Sequence, residues 1–207
     1  MIEGKVGNPD VKWAALFAYA AGITSTLANL FLIAFFVLQA NNPVEGASFG
    51  TANDLVGSLG TAFMIPVALA LSAWLPDRTT TTITQIVGLS SMALLVVCGP
   101  LLVLGVIEFE VQALIAIGAW ALLSLWLFLV NRWLRSSRDL PTRVAWFGEL
   151  MGTLVLAAGA VAGLGLLLPW MSWEQLVVFG VGGVLAVVGM LGTPIWFLLL
   201  GRHVARL

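Results

Sequence analysis

The chain has 207 residues, 60% of them apolar and only 9% charged, where an ordinary soluble domain carries about 25% charged residues. So few charges cannot cover a water-facing surface, and the composition points to an all-α protein that crosses a bilayer several times. The net charge of −1 excludes the basic footprint of a nucleic-acid binder. A single cysteine, Cys98, and a single histidine, His203, exclude an intrachain disulfide and a clustered metal site.

Lys5 and Lys12 precede the first apolar run, residues 13–38. That run is longer than the ~7–15 residues of a signal-peptide core, so it is read as a retained first span. Asn8-Pro9 places a capping Asn before a Pro at the first helical position. Five more apolar segments follow, at 51–75, 83–106, 111–133, 144–168 and 175–200. Each exceeds the ~20 residues that cross a ~30 Å hydrocarbon core. Lipid offers no partner to the polar edge of an open strand, so each segment is expected to be a helix. Thr51 with Asp54, Thr82 with Gln85 and Ser172 with Gln175 fit capping boxes for the second, third and sixth helices. Pro141 and Pro169 fall in connections. The connections are short, which predicts one six-helix transmembrane domain of antiparallel neighbours, with no detectable internal repeat.

Basic residues set the expected orientation. Lys5, Lys12, Arg78, Arg132, Arg135, Arg138, Arg143, Arg202 and Arg206 all fall at one end of the helices. The loops at the other end carry Glu45, Glu108, Glu110 and Glu174 and no basic residue. Both termini are therefore expected in the cytoplasm, with the chain in the plasma (inner) membrane. Trp13, Trp74, Trp133 and Trp146 mark the inner interface, and Trp170 and Trp173 the outer one.

Within the spans, Pro66, Pro100 and Pro194 each remove one helical hydrogen bond, freeing the carbonyls of Ala62, Val96 and Met190. Such carbonyls either accompany ordinary kinks or line a substrate or ion site. At ~100° per residue, Gly148, Gly152, Gly159 and Gly163 of the fifth helix fall within about 60° of one another. Gly182, Ala186, Gly189 and Thr193 of the sixth do the same, and these two helices are expected to pack on each other through the small residues.

Five polar residues are candidates for a cavity: Asn29, Glu149, Tyr19, Asn131 and Gln85. Glu149 lies ~4–5 Å deeper than Trp146 at 1.5 Å per residue. It either anchors a cytoplasm-facing proton or cation site, or it snorkels to the interface or pairs with an arginine, with Tyr19, Gln85, Asn131, Arg132 and Arg202 at similar depth. Asn29 sits mid-helix beside Thr24, Ser25 and Thr26, with Thr61, Ser90 and Ser91 at similar depth. Its amide has four hydrogen-bonding positions to satisfy, so it joins helices or faces a binding cavity. Asp54 is read as a cap. Trp120 and Trp126 lie too deep for the interfacial belt, and their N–H groups need acceptors.

No catalytic constellation emerges. Gly88-Leu89-Ser90-Ser91 has no histidine in any span to act as base, and one tail histidine cannot ligate zinc or haem. Both lysines precede the first span, and no phosphate-binding glycine pattern is present. The chain is expected to be no enzyme and to hold no cofactor and no metal.

The segment order, the IWFLLLGRHV ending at 195–204 and the polar DRTTTTITQ turn at 77–85 resemble uncharacterised six-helix bacterial integral-membrane proteins grouped as domains of unknown function. The resemblance covers most of the chain. It implies a fold and a bacterial inner-membrane setting, with no activity and no site residues. The sequence thus favours a non-enzymatic accessory, sensor or binding protein. The alternative is a small permease with a polar cavity lined by Asn29 and Glu149. The lipid bilayer is the one partner implied. A second copy or another membrane protein is left open, as is the identity of any small-molecule ligand.

Overall fold

The structure is a computed structural model and describes residues 9–39, 41–75 and 78–207. It contains six α-helices: α1 (Pro9–Gln39), α2 (Pro43–Ser72), α3 (Arg78–Val103), α4 (Phe109–Ser137), α5 (Thr142–Gly165) and α6 (Trp173–Val204). All six are long and apolar enough to cross a membrane. Asn8, Lys5 and Asp77 lie outside the described residues, as does the side chain of Arg78.

All six helices begin before their apolar segments, α2 and α3 by the most. Asn42 caps α2, its side chain accepting from the Glu45 N–H at 3.4 Å, and Pro43 opens the first turn. Pro is preorganised for that position, and Glu45 complements the positive end of the helix. Thr51 and Asp54 therefore lie inside α2 and form no capping box. Likewise α3 begins at Arg78, so Thr82 and Gln85 are internal. The Gln85 amide donates instead to the Ser72 hydroxyl on α2 at 2.8 Å, and Ser72 donates to the Leu69 carbonyl at 2.6 Å. Hydropathy missed both starts because the first turns of these helices are polar. The Ser172 cap of α6 matches expectation, accepting from Gln175 N at 3.2 Å. Gln175 then ties the α5–α6 connection, receiving the Met171 N–H at 2.7 Å and donating to the Gly165 carbonyl at 3.1 Å.

Each helix packs on its neighbours in the chain, and α1 packs on α6, so the six close into a ring. The α1–α6 seam depends on small residues. A Cβ on Gly22 would lie 2.9 Å from the Pro194 carbonyl oxygen, and one on Gly201 would lie 3.3 Å from that of Ala15. Backbones in lipid associate by such close approach, because apolar side chains gain nothing by leaving lipid for protein. The outside of the ring is apolar: Leu114, Ile117, Leu167 and Val184 are exposed, as lipid contact requires.

The two ends of the ring differ. The half towards the arginines is packed with large side chains among the described residues. There Met92, Leu134, Leu200, Trp126, Trp196 and Phe197 are fully buried. Trp126 and Trp196 meet edge to face at 6.2 Å and 86°, and Trp196 meets Phe197 at 4.8 Å and 75°. The half towards the glutamates is hollow.

A candidate binding cavity

The hollow is a cavity of about 260 Å³ between α1, α2, α3, α4 and α6. Four observations define its walls. On the α1–α6 side, the Asn29 amide donates to the Met190 carbonyl at 3.4 Å. This carbonyl is the one freed by Pro194, which also lines the cavity. On the α2–α3 side, Ser58 donates to the Leu95 carbonyl at 3.1 Å, in the turn before Pro100. Gly99 lets α3 approach there, since a Cβ would meet the Asp54 carbonyl oxygen and the Ser58 hydroxyl. The Asn29 bond thus uses an acceptor that a proline has freed, whereas the Ser58 bond shares a carbonyl one residue before the one freed by Pro100.

The third observation concerns Asp54. Its half-buried carboxylate lines the cavity from α2 and receives the Asn53 side-chain amide at 3.5 Å. No Lys, Arg or His lines the cavity among the described residues. Fourth, Gln112, Phe109 and Trp120 of α4 complete the wall. Phe109 is exposed, which places the mouth at the first turn of α4, at the end away from the arginines. Met64 and Trp120 form the floor, and the packed Trp126, Trp196 and Phe197 fill the space beyond it. Thr61 and Thr193 back-bond to the Gly57 and Gly189 carbonyls at 2.9 Å each, which uses their hydroxyl protons and leaves their lone pairs as acceptors.

The five candidate residues do not share this space. Asn29 lines it, whereas Glu149, Tyr19, Asn131 and Gln85 lie outside its lining. Glu149 sits at the arginine end, 3.0 Å from Arg135 Nη2 at Oε2 and 3.5 Å from Arg132 Nη1 at Oε1. The hydrogen bond from Arg135 runs to Oε1 at 3.3 Å. Asn131 is sealed in the core, receiving the Trp196 indole N–H at 3.0 Å and donating to the Leu127 carbonyl at 2.8 Å. Tyr19 packs on Gly201, and Gln85 bonds Ser72. Among the described residues, Asn29 lines this cavity and Glu149 does not, and the buried Trp126, Trp196 and Phe197 pack in the half that holds Glu149.

The glycine stripe of α5 is also divided. Gly148 faces the Asn131 amide and the Trp196 indole, and Gly152 faces the α4 backbone at Ser124 and Phe128. A Cβ on Gly159 or Gly163 would meet nothing within 4 Å. The α5–α6 contact also runs through Gly182 and Gly189 of α6, which meet Ala158, Val155 and Met151 of α5, and through Gly165 of α5, which meets Phe179 of α6. The two helices pack on each other as expected, with Gly152 of the α5 stripe turned towards α4.

Asp54 is the residue that sequence reading missed. An Asn-Pro pair at 42–43 was the available signal, since it moves the helix start and leaves the acid inside the span. Comparison of the chain with family models, with curated proteins and with solved structures found no match. The cavity is therefore interpreted from its own chemistry.

Proposed function

We propose that this is a non-enzymatic multipass protein of the bacterial plasma (inner) membrane that binds a small molecule in the cavity beneath Phe109, in an accessory or sensory role. Both termini face the cytoplasm, so the cavity opens to the opposite side. The distribution of basic residues supports that orientation, and the sequence resemblance supports the bacterial setting. The observation that carries the binding reading is the shape of the interior. Polar groups from four helices converge on a space with an exposed rim and a closed aromatic floor, the form of a one-sided pocket. The same floor weighs against a continuous path to Glu149.

Purified protein in nanodiscs, screened against a small-molecule library by thermal shift, tests this reading. Hits are expected for the wild type and are expected to vanish in Ala116→Phe, which fills the cavity. Hits that bind the filled variant equally well would defeat it. Labelling of single cysteines at Glu45 and Ser136 from either side of intact cells tests the orientation.

A further inference from the structure

We infer that the cavity selects a small organic cation, an ammonium head carrying an apolar body, with Asp54 as the counter-ion. The inference rests on the binding reading above and names the ligand class. A carboxylate within a span is costly unless paired or hydrated. Asp54 receives one long hydrogen bond, from Asn53 at 3.5 Å, and no basic side chain lines the space around it among the described residues. Around it lie the Met190 carbonyl and the spare lone pairs of the Ser58, Thr61 and Thr193 hydroxyls, with the Ser25 hydroxyl and the amides of Asn29, Asn53 and Gln112, which both donate and accept. This lining attracts positive charge.

The size and the remaining walls decide which cation. About 260 Å³ is far more than the ~30 Å³ that one water occupies in the liquid, and therefore more than a bare metal ion fills. Met64 and Leu95 offer apolar contact, and the lining includes Trp120 and Phe109, aromatic residues of the kind that hold alkylammonium groups. Glu45, Glu108, Glu110 and Glu174 lie at the same end of the ring, where no Lys or Arg occurs. Their field concentrates cations at the mouth.

The test is calorimetric titration of nanodisc-embedded protein, corrected with empty nanodiscs. The probes are 2-phenylethylammonium, its uncharged counterpart 2-phenylethanol, and sodium chloride. The expected result is saturable binding of the ammonium compound to the wild type, with the alcohol and sodium weaker by about tenfold or more. Asp54→Asn is expected to abolish the preference for charge, Asp54→Glu to retain it, and Glu149→Gln, which removes a charge at the opposite end outside the cavity, to leave it unchanged. Circular dichroism and gel filtration confirm that each variant is folded. Equal binding of the alcohol, or a charge preference that survives Asp54→Asn, would overturn the cation assignment and leave the pocket intact. Binding of sodium in place of the ammonium compound, or of no probe, would also overturn it. The pocket itself fails only on the library screen, through hits that ignore Ala116→Phe.

Discussion

The side-chain amide of Asn29 on α1 donates to the Met190 carbonyl on α6 at 3.4 Å, and that carbonyl has lost its helical donor to Pro194. A kink in one helix therefore creates the acceptor that a polar residue of another helix uses. Asn29→Leu is expected to lower unfolding stability in mixed micelles by about 0.6–1 kcal/mol, the usual range for hydrogen bonds between membrane helices. Pro194→Ala restores a donor to Met190, so the same change is expected to cost less in that background. A double-mutant cycle reads the coupling. Additive effects would mean that the bond gains nothing from the carbonyl freed by Pro194.

Asn131, Trp196 and Gly148 form a second unit, buried at the arginine end. The indole N–H of Trp196 has Asn131 as its acceptor at 3.0 Å. Asn131→Leu leaves that donor buried and unmet, an expected loss of about 1–3 kcal/mol. Gly148→Ala places a methyl against both polar groups and is expected to cost about as much, in the usual 1–3 kcal/mol range of overpacking. Trp196→Phe in the Asn131→Leu background removes the orphaned donor and is expected to recover part of the loss, read by the same unfolding assay.

The glycines of α5 separate by what they face. Gly152→Ala drives a Cβ to 2.6 Å from the Ser124 carbonyl oxygen and is expected to destabilise by about 1–3 kcal/mol. Gly159→Ala and Gly163→Ala meet open space and are expected to stabilise by up to about 0.5–1 kcal/mol through helix propensity. Thermal melts of the three variants in one detergent check the order. A loss at Gly159 as large as at Gly152 would contradict the helix rotation described above.

Glu149 is mostly buried, but its partners are not. The side chain of Arg132 is 60% exposed and that of Arg135 is 36% exposed, so solvent screens both pairs. Arg132→Ala is expected to change stability by less than about 0.5 kcal/mol and Arg135→Ala by at most about 1 kcal/mol. In liposomes, Glu149→Gln is expected to leave proton and solute flux at the wild-type level. A flux that depends on Glu149 would revive the permease alternative.

The candidate site was only partly legible in the sequence. Pro194 pointed to the free Met190 carbonyl, and Asn29 stood out as an amide needing partners. That the two meet could not be read, because it depends on the rotation of α1 against α6. Asp54 was mistaken for a cap because residues 43–50, only two of them strongly apolar (Val44 and Phe49), hid the true start of α2. Glu149 drew attention as an acid near the membrane interior. Arg132 and Arg135 account for it, on a helix face whose direction only packing defines.

Composition and segment length by themselves determined six helices and placed the charges at their ends. The reason is one-dimensional: a bilayer core of fixed thickness demands apolar runs of fixed length, and lipid demands that their backbones bond internally. Tertiary structure alone decided which polar groups share a space. Each helix must choose a rotation about its axis, and in lipid that choice is made by close packing of small residues and a few hydrogen bonds. Those contacts close one half of the ring around Trp126 and Trp196 and leave the other half hollow beside Asn29 and Asp54.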